Sequence, residues 1–188
     1  AASPANVLIT GESGTGKELF AQAIHNASAR FAGPFVPISC GEFSRESIDQ
    51  ILVGTEKNPG RFVQADGGTM FLDGISEMSQ DMQSFLLRFL EDGIVTPLGS
   101  RRSIQTDVRV IAAAGSEILQ KVREGSFRLD LYYRLNVLRI DLPPLRERRA
   151  DMQELSNYFV TLLSASYGKN IYSVSAETVE QFKKNYWP

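Results

Sequence analysis

Val7-Leu8-Ile9-Thr10-Gly11-Glu12-Ser13-Gly14-Thr15-Gly16-Lys17-Glu18 is the stretch of this sequence that decides its fold. Its apolar start predicts a short buried strand, its glycines predict a tight turn, and the periodicity of residues 19–24 predicts a helix beginning near Lys17. Gly11, Gly16 and Lys17 have the spacing of a phosphate-binding loop, in which backbone N–H groups surround an anionic phosphate chain. The helix dipole and the Lys17 ammonium would add positive charge at the same place.

This pattern favours a nucleotide site over the alternative interpretation, a plain glycine-rich turn. Glycine is needed in such a loop because the backbone must approach the ligand closely and adopt dihedral angles that a side chain forbids. The residues expected to bind the nucleotide are Gly11, Glu12, Ser13, Gly14, Thr15, Gly16, Lys17, Glu18 and Leu19.

Composition and charge exclude several classes of function. The chain has 188 residues, 43% of them hydrophobic and 22% charged, which is typical of a globular domain. A net charge of −2 gives no general basic field for binding DNA or a membrane surface. With a single cysteine and no apolar run long enough to span a membrane, we expect a cytoplasmic protein. Because the chain begins almost on its first strand and stops in a helical region, we expect a piece of a longer protein.

Strand and helix patterns alternate over the first 142 residues, which predicts a parallel five-stranded sheet flanked by helices. Only helical patterns follow Arg149. We therefore expect an α/β core over residues 1–145 and part of a small helical domain over residues 146–188. The predicted strands cover residues 7–10, 35–39, 69–73, 108–113 and 137–142, with a hairpin over 93–105, a short helix over 44–53, and helices capped by Ser79 and Ser175.

The first helix is predicted from Lys17 to about Ala29, with Phe20, Ile24 and Ala27 on one face. His25 lies in this helix without a second metal-ligand type nearby, so we expect it to pack or to lie on the surface. Cys40, at the end of the second strand, is expected to be a small core residue.

Two further patterns carry candidate chemistry. The apolar run of residues 69–73 ends in the carboxylate of Asp73, as does the strand that orients Mg²⁺ in phosphate-loop ATPases. Arg128 and Arg134 lie in a cationic run between residues 127 and 137. From the residues alone, the simpler interpretation of these arginines is salt bridges with Asp130 or Glu124.

Taken together, these motifs resemble the central AAA+ domain of bacterial enhancer-binding transcription activators, the sigma-54-dependent class. The resemblance covers nearly the whole chain in the family's order, and Glu18 after the loop lysine is itself typical of the family. The segments that carry it are residues 11–18, Gly60-Arg61-Phe62, Ala65-Asp66-Gly67-Gly68-Thr69, residues 107–113, residues 127–137 and Leu142-Pro143-Pro144-Leu145-Arg146-Glu147-Arg148-Arg149.

The resemblance implies an AAA+ P-loop NTPase fold, bound ATP or ADP, and site roles for three residues besides the loop. Asp73 would hold Mg²⁺ through water, and Arg128 and Arg134 would be paired arginine fingers that complete the ATP site of a neighbouring subunit. The implied partners are further copies of the chain, as a hexameric or heptameric ring or an inactive dimer, and the RNA polymerase holoenzyme. DNA would be bound by a domain outside this piece, and the second sensor arginine would follow Pro188.

The sequence departs from the family pattern at three places. Active relatives carry Asp-Glu where this chain has Asp73-Gly74, and glycine cannot polarise the attacking water. They carry Thr-Asn, which senses the γ-phosphate, where this chain has Ala114-Gly115. They carry the long GAFTGA loop that contacts sigma-54 where residues 55–59 here join Gly54 directly to Gly60.

Three hypotheses about function follow. The favoured one is a regulator whose central domain binds ATP or ADP and oligomerises, with impaired hydrolysis and without the sigma-54 contact loop, so that it is not a working enzyme. The second is an active ATPase that remodels the sigma-54 holoenzyme, with Glu77 or a neighbouring subunit supplying the missing carboxylate. The third is a regulator that responds to cyclic di-GMP, for which the sequence gives no specific site.

Overall fold

The computed structural model describes residues 3–41 and 50–187, which belong to two compact units, residues 1–142 and 143–188. The sequence had placed the boundary three residues later. Within the described residues, every helix is too short or too polar to traverse a lipid bilayer.

The larger unit contains the predicted parallel sheet of five strands. The strands of the unit are β1 Val7–Thr10, β2 Phe35–Ser39, β3 Thr69–Asp73, β4 Ile94–Val95, β5 Ile104–Gln105, β6 Arg109–Ala114 and β7 Leu138–Asp141. The order of the strands in the sheet, which the sequence did not predict, is β2-β3-β6-β1-β7. The strand β1 therefore lies between β6 and β7, and a separate antiparallel pair, β4 with β5, forms the predicted hairpin.

Helices precede or follow the strands, and their starts match local sequence signals. Ser79 caps the helix Gln80–Asp92, as predicted, by accepting a hydrogen bond from the Met82 amide. A serine side chain in this position satisfies an N–H group that the helix leaves free. Residues 50–53 are also helical, while the start of the predicted helix over 44–53 lies outside the described residues. The helices of this unit are α1 Lys17–Asn26, α2 Arg61–Gln64, α3 Gln80–Asp92, α4 Ile118–Arg123 and α5 Leu129–Leu135.

The core covers both faces of the sheet. Leu8 packs in the larger apolar cluster, while its neighbours Val7 and Ile9 pack in a second cluster with Ala21 of α1. Successive strand residues point to opposite faces, so a strand that is buried on every side must be apolar throughout. This explains why the central strands are continuous apolar runs.

The predicted face of α1 is wrong at Phe20 and Ala27, which are exposed, whereas Ile24 packs against the second apolar cluster. The helix ends at Asn26, its buried residues are Ala21 and His25, and Phe20 is 41% exposed. His25 is buried because its Nδ1 atom shares a hydrogen bond of 2.9 Å with the Thr69 hydroxyl, which satisfies the polar ring atom. Its ring also contacts that of Phe35, so the expected packing role of His25 is confirmed. Burial lowers the pKa of His25.

The smaller unit contains two helices, α6 Met152–Ser166 and α7 Ala176–Lys184. Ser175 caps α7 by accepting a hydrogen bond from the Thr178 amide, as the sequence predicted. Apolar side chains of both helices, including Leu155, Phe159 and Phe182, line a groove of about 350 Å³.

The burial of Cys40 predicts an unreactive thiol. The side chain is 5% exposed, and burial, followed by the Asp73 charge, raises the pKa of Cys40 from 9.0 to about 12. Because the thiolate is the reactive form, a shift of this size lowers its fraction at pH 8 by about a thousandfold. We expect an aromatic disulfide reagent at pH 8 to label no thiol in the native protein and one thiol in guanidinium chloride. Rapid stoichiometric labelling of the native protein would contradict the buried position.

Candidate functional site

The carboxyl ends of the parallel strands bring the predicted phosphate loop and Asp73 to one edge of the sheet. Thr10, the last residue of β1, lies beside Ala114 of β6 and Asp141 of β7. On the far side of β6, β3 ends at Asp73. Ligands of open α/β sheets bind outside these carboxyl ends, so the loop after Thr10 and the end of β3 face the same space.

Glycine is required in the loop for two different physical reasons. Gly14 and Gly16 have φ angles of +78° and +92°, in the left-handed region that disfavours residues with a Cβ atom. A Cβ atom at Gly11 would instead lie 2.7 Å from the carbonyl oxygen of Leu142, the residue after β7. The predicted loop is thus fixed both by its own dihedral angles and by contact with the next strand.

Contacts within the loop hold its shape. The Lys17 Nζ atom donates to the carbonyl oxygens of Gly11 and Glu12 at 3.0 and 2.9 Å, so the ammonium lies against the loop. The Thr15 hydroxyl donates to the same Glu12 carbonyl at 2.8 Å. These bonds hold residues 11–17, termed the phosphate cradle, in a closed loop at the start of α1.

Backbone donors of this cradle are available to a ligand. Among the described residues, the N–H groups of Ser13, Gly14 and Gly16 have no hydrogen-bond partner. Gly16 is also the N-cap of α1, whose dipole places partial positive charge at the same point. Free N–H groups, a helix start and an ammonium fit a phosphate group. The remaining predicted residues, Glu18 and Leu19, are exposed in the first turn of α1.

Asp73 lies where a magnesium ligand was predicted. Its side chain is half-buried at the end of β3, and its backbone carbonyl accepts from the Cys40 amide at 2.8 Å. The next residue, Gly74, has a φ of +69° and open space around its Cα atom. Residues 75–77 then form a single turn of 3₁₀ helix. A side chain at position 74 has room, but it would strain the backbone.

A second carboxylate at this edge was missed by the sequence analysis. The Glu117 carboxylate lies directly over Gly115, where it would overlap a Cβ atom, and its Oε1 atom accepts from the Ser76 hydroxyl at 2.9 Å. Lys121, one turn further along α4, donates to Glu77 Oε1 at 2.9 Å. Only the glycine at position 115 hinted at this arrangement, because the sequence did not show which side chain would fill the space.

The sequence analysis also missed a polar pair on the other side of the loop. The Thr10 hydroxyl donates a hydrogen bond to the Asp141 carboxylate, and Arg139 Nε donates to the same oxygen at 2.9 Å. The hydrogen bond from Thr10, followed by that from Arg139, lowers the pKa of Asp141. This pair ties the end of β1 to the end of β7.

Arg128 and Arg134 form ion pairs within the chain. Arg128 Nη2 lies 2.7 Å from Asp130 Oδ2, one of the two partners foreseen, and Arg134 Nη2 lies 3.3 Å from Glu91 Oε1. Neither guanidinium is paired with Glu124, the other foreseen partner, which instead accepts from Gln120. Both arginine side chains remain at least 39% exposed.

Residues 54–60 form a closed turn beside the hairpin. Gly54 pairs with Pro59 in a backbone bridge, and the Thr55 amide donates to the Asn58 carbonyl at 2.8 Å. A Cβ atom at Gly54 or Gly60 would overlap backbone atoms of the opposite arm. The turn also pairs with the hairpin, because the Leu98 amide donates to the Gly54 carbonyl at 2.9 Å.

Comparisons with known proteins give a consistent result. Residues 1–141 match the family model described as the Sigma-54 interaction domain. The chain is 43% identical over 195 residues to the DNA-binding transcriptional regulator NtrC of Escherichia coli (strain K12), covering 99% of this chain and 42% of NtrC. It is 43% identical over 196 residues to a signal-transduction and transcriptional-control protein of Clostridium beijerinckii, covering 99% of this chain and 31% of that protein.

A solved structure agrees with the sequence matches. NtrX from Brucella abortus in complex with ADP superposes with a TM-score of 0.92 at 31% identity, over 99% of this chain and 43% of NtrX. The chain thus spans less than half the length of each of these relatives.

Substitution of two glycines with left-handed backbones, Gly14 and Gly125, is expected to destabilise the fold by similar amounts. Gly14 and Gly125 have φ angles of +78° and +76°, and both have open space where a Cβ atom would lie. Gly14→Ala and Gly125→Ala should therefore each lower the free energy of unfolding by about 1 kcal/mol. Urea denaturation measures both, and a gain in stability at either position would contradict the left-handed backbone.

Proposed function

The chain belongs to the sigma-54 interaction domain family and has the AAA+ P-loop NTPase fold, and from this premise we propose a specific function. It is the central domain of a bacterial transcriptional regulator, in which it binds ATP or ADP and assembles with further copies while hydrolysing ATP poorly. Structures of NtrX from Brucella abortus in complex with ADP and with ATP support the choice of ligand.

One observation carries this proposal. At a single edge of the sheet, the phosphate cradle of residues 11–17 is complete, while the chain continues from β3 and β6 with Gly74 and Gly115. The family resemblance assigns a water-polarising glutamate and a phosphate-sensing asparagine to these two positions. Binding and hydrolysis use different residues, so the first can persist without the second.

The missing carboxylate has a chemical cost. Loss of a general base lowers a rate by about 10²–10⁴, because no group accepts the proton of the attacking water. Glu77, the candidate replacement, is paired with Lys121 at 2.9 Å, which holds its carboxylate against α4. Asp73 retains the side chain that would hold Mg²⁺ through water.

The proposed partners follow from the family and from the exposed arginines. Arg128 and Arg134 would reach the nucleotide of a neighbouring copy in a ring or a dimer, exchanging their internal carboxylates for a phosphate. RNA polymerase would be a partner of the whole regulator, and DNA would be bound by another domain. The closed turn of residues 54–60 supports the absence of the sigma-54 contact loop.

The first test separates binding from hydrolysis. Labelled ATP and ADP should bind the protein at close to one per chain, with phosphate release at least about 10²-fold slower than after Gly74→Glu. Lys17→Ala should abolish binding, because it removes the ammonium of the cradle. Brisk phosphate release by the unmodified protein would overturn the claim of poor hydrolysis, and absence of binding would overturn the claim of a nucleotide site.

Matched variants control this test. Gly125→Glu adds the same charge in the same left-handed conformation as Gly74→Glu, with φ angles of +76° and +69°, and should leave phosphate release unchanged. In the same way, Gly14→Ala should weaken nucleotide binding while Gly125→Ala leaves it unchanged. Both variants should lose a similar amount of unfolding free energy, so a difference in binding would not reflect a difference in stability.

The second test examines the arginines in assembly. Arg128→Ala and Arg134→Ala should each abolish nucleotide-dependent oligomers in analytical ultracentrifugation, because the guanidinium would contact the phosphate of the neighbouring copy. Asp130→Asn and Glu91→Gln break the same ion pairs but keep the guanidinium groups, so these variants should still assemble. Equal loss of assembly in the arginine and carboxylate variants would show that only the internal ion pairs matter.

A further inference from the structure

We propose that Glu117 makes the nucleotide pocket favour ADP over ATP. The inference rests on the proposed nucleotide binding and assigns to this carboxylate the role of opposing the third phosphate. It goes beyond loss of hydrolysis, because it concerns which nucleotide stays bound.

The position of the carboxylate is the first step. Glu117 Oε1 accepts from the Ser76 hydroxyl at 2.9 Å, and Ser76 lies three residues beyond the end of β3. The same oxygen lies 2.7 Å from the site of a Cβ atom on Gly115, directly after β6. The negative charge is therefore held between the carboxyl ends of two adjacent strands.

The phosphate cradle lies next to this position. The Gly11 amide donates to the Ala114 carbonyl at 3.3 Å, so the start of the cradle and the residue before Gly115 are hydrogen-bonded neighbours. Adjacent strands are about 4.8 Å apart. A phosphate chain held by the cradle would lie at the same edge of the sheet as the end of β6, and a third phosphate would add negative charge at the edge where Glu117 and Asp73 lie.

Among the described residues, no lysine, arginine or histidine forms an ion pair with Glu117. Lys121, the nearest lysine on α4, is paired with Glu77 at 2.9 Å and donates to the Ser76 carbonyl. The Ser76 hydroxyl is a neutral donor. A carboxylate without an ion pair repels a nearby anion, and the repulsion grows with the charge that the ligand carries.

Within residues 3–41 and 50–187, the Glu117 side chain has one hydrogen-bond partner, the Ser76 hydroxyl. It occupies the N-cap position of α4, yet its side chain makes no capping hydrogen bond and reaches across to Ser76 instead. Its replacement by glutamine would keep an oxygen that can accept from Ser76 while removing the charge. The geometry therefore allows charge and shape to be tested separately.

The experiment is a calorimetric titration of the full chain with MgADP and with the magnesium complex of a non-hydrolysable ATP analogue. The unmodified protein should bind ADP at least about tenfold more tightly than the analogue. Glu117→Gln should tighten the analogue by about 5- to 10-fold and change ADP by less than about twofold. Glu124→Gln removes the same charge at the far end of α4, where Glu124 is bonded to Gln120, and should leave the ratio unchanged.

Each outcome decides between the two proposals. If both ligands bind but Glu117→Gln leaves their ratio unchanged, the role of Glu117 is wrong while nucleotide binding stands. If neither ligand binds the unmodified protein, nucleotide binding fails and the role of Glu117 fails with it. Equal thermal unfolding of Glu117→Gln and the unmodified protein would exclude a loss of folding as the cause of any change.

Discussion

The pairing of β1 with a parallel neighbour on each side is the constraint on which the site depends. Thr10 is level with Ala114 and with Asp141, and the Gly11 and Leu142 amides continue these two ladders beyond the strands at 3.3 and 2.7 Å. The loop that follows must therefore begin in contact with both neighbours. This contact excludes a Cβ atom at Gly11, and it places the ends of β1, β6 and β7 at one level.

The sequence predicted the helix caps, the strands and the phosphate loop correctly, because each of these signals is contained in a few adjacent residues. The serine caps of α3 and α7, the continuous apolar strands and the glycine spacing of the cradle are of this kind. The α1 face was wrong because the burial of His25 depends on the Thr69 hydroxyl, 44 residues away. Glu117 was missed for the same reason, since its partner Ser76 lies on another strand end.

Gly115 after β6 and Gly74 after β3 both replace a larger residue of the family pattern, but the replacement affects the structure differently at each position. At Gly115 the missing side chain leaves a space that the Glu117 carboxylate fills. At Gly74 nothing lies within 4 Å of the missing Cβ atom, but the backbone has turned into the left-handed region, at a φ of +69°. Restoring a glutamate there requires about 1–2 kcal/mol of backbone strain or a change in the turn that follows. The absence of a glutamate at position 74 is thus coupled to the left-handed conformation of the backbone there.

The contacts that hold the phosphate cradle explain how it can be retained in a protein that hydrolyses ATP poorly. The Lys17 ammonium and the Thr15 hydroxyl both bond to carbonyl oxygens of the loop itself, so its shape depends on internal contacts and on the neighbouring strands. Under the proposed function, a nucleotide that is bound and not cleaved acts as a structural ligand. At a concentration 100 times its Kd, such a ligand stabilises the fold by about 2.7 kcal/mol, which is comparable to a large core substitution. Selection on folding and assembly alone would then preserve the cradle, whereas nothing would preserve the groups that activate water.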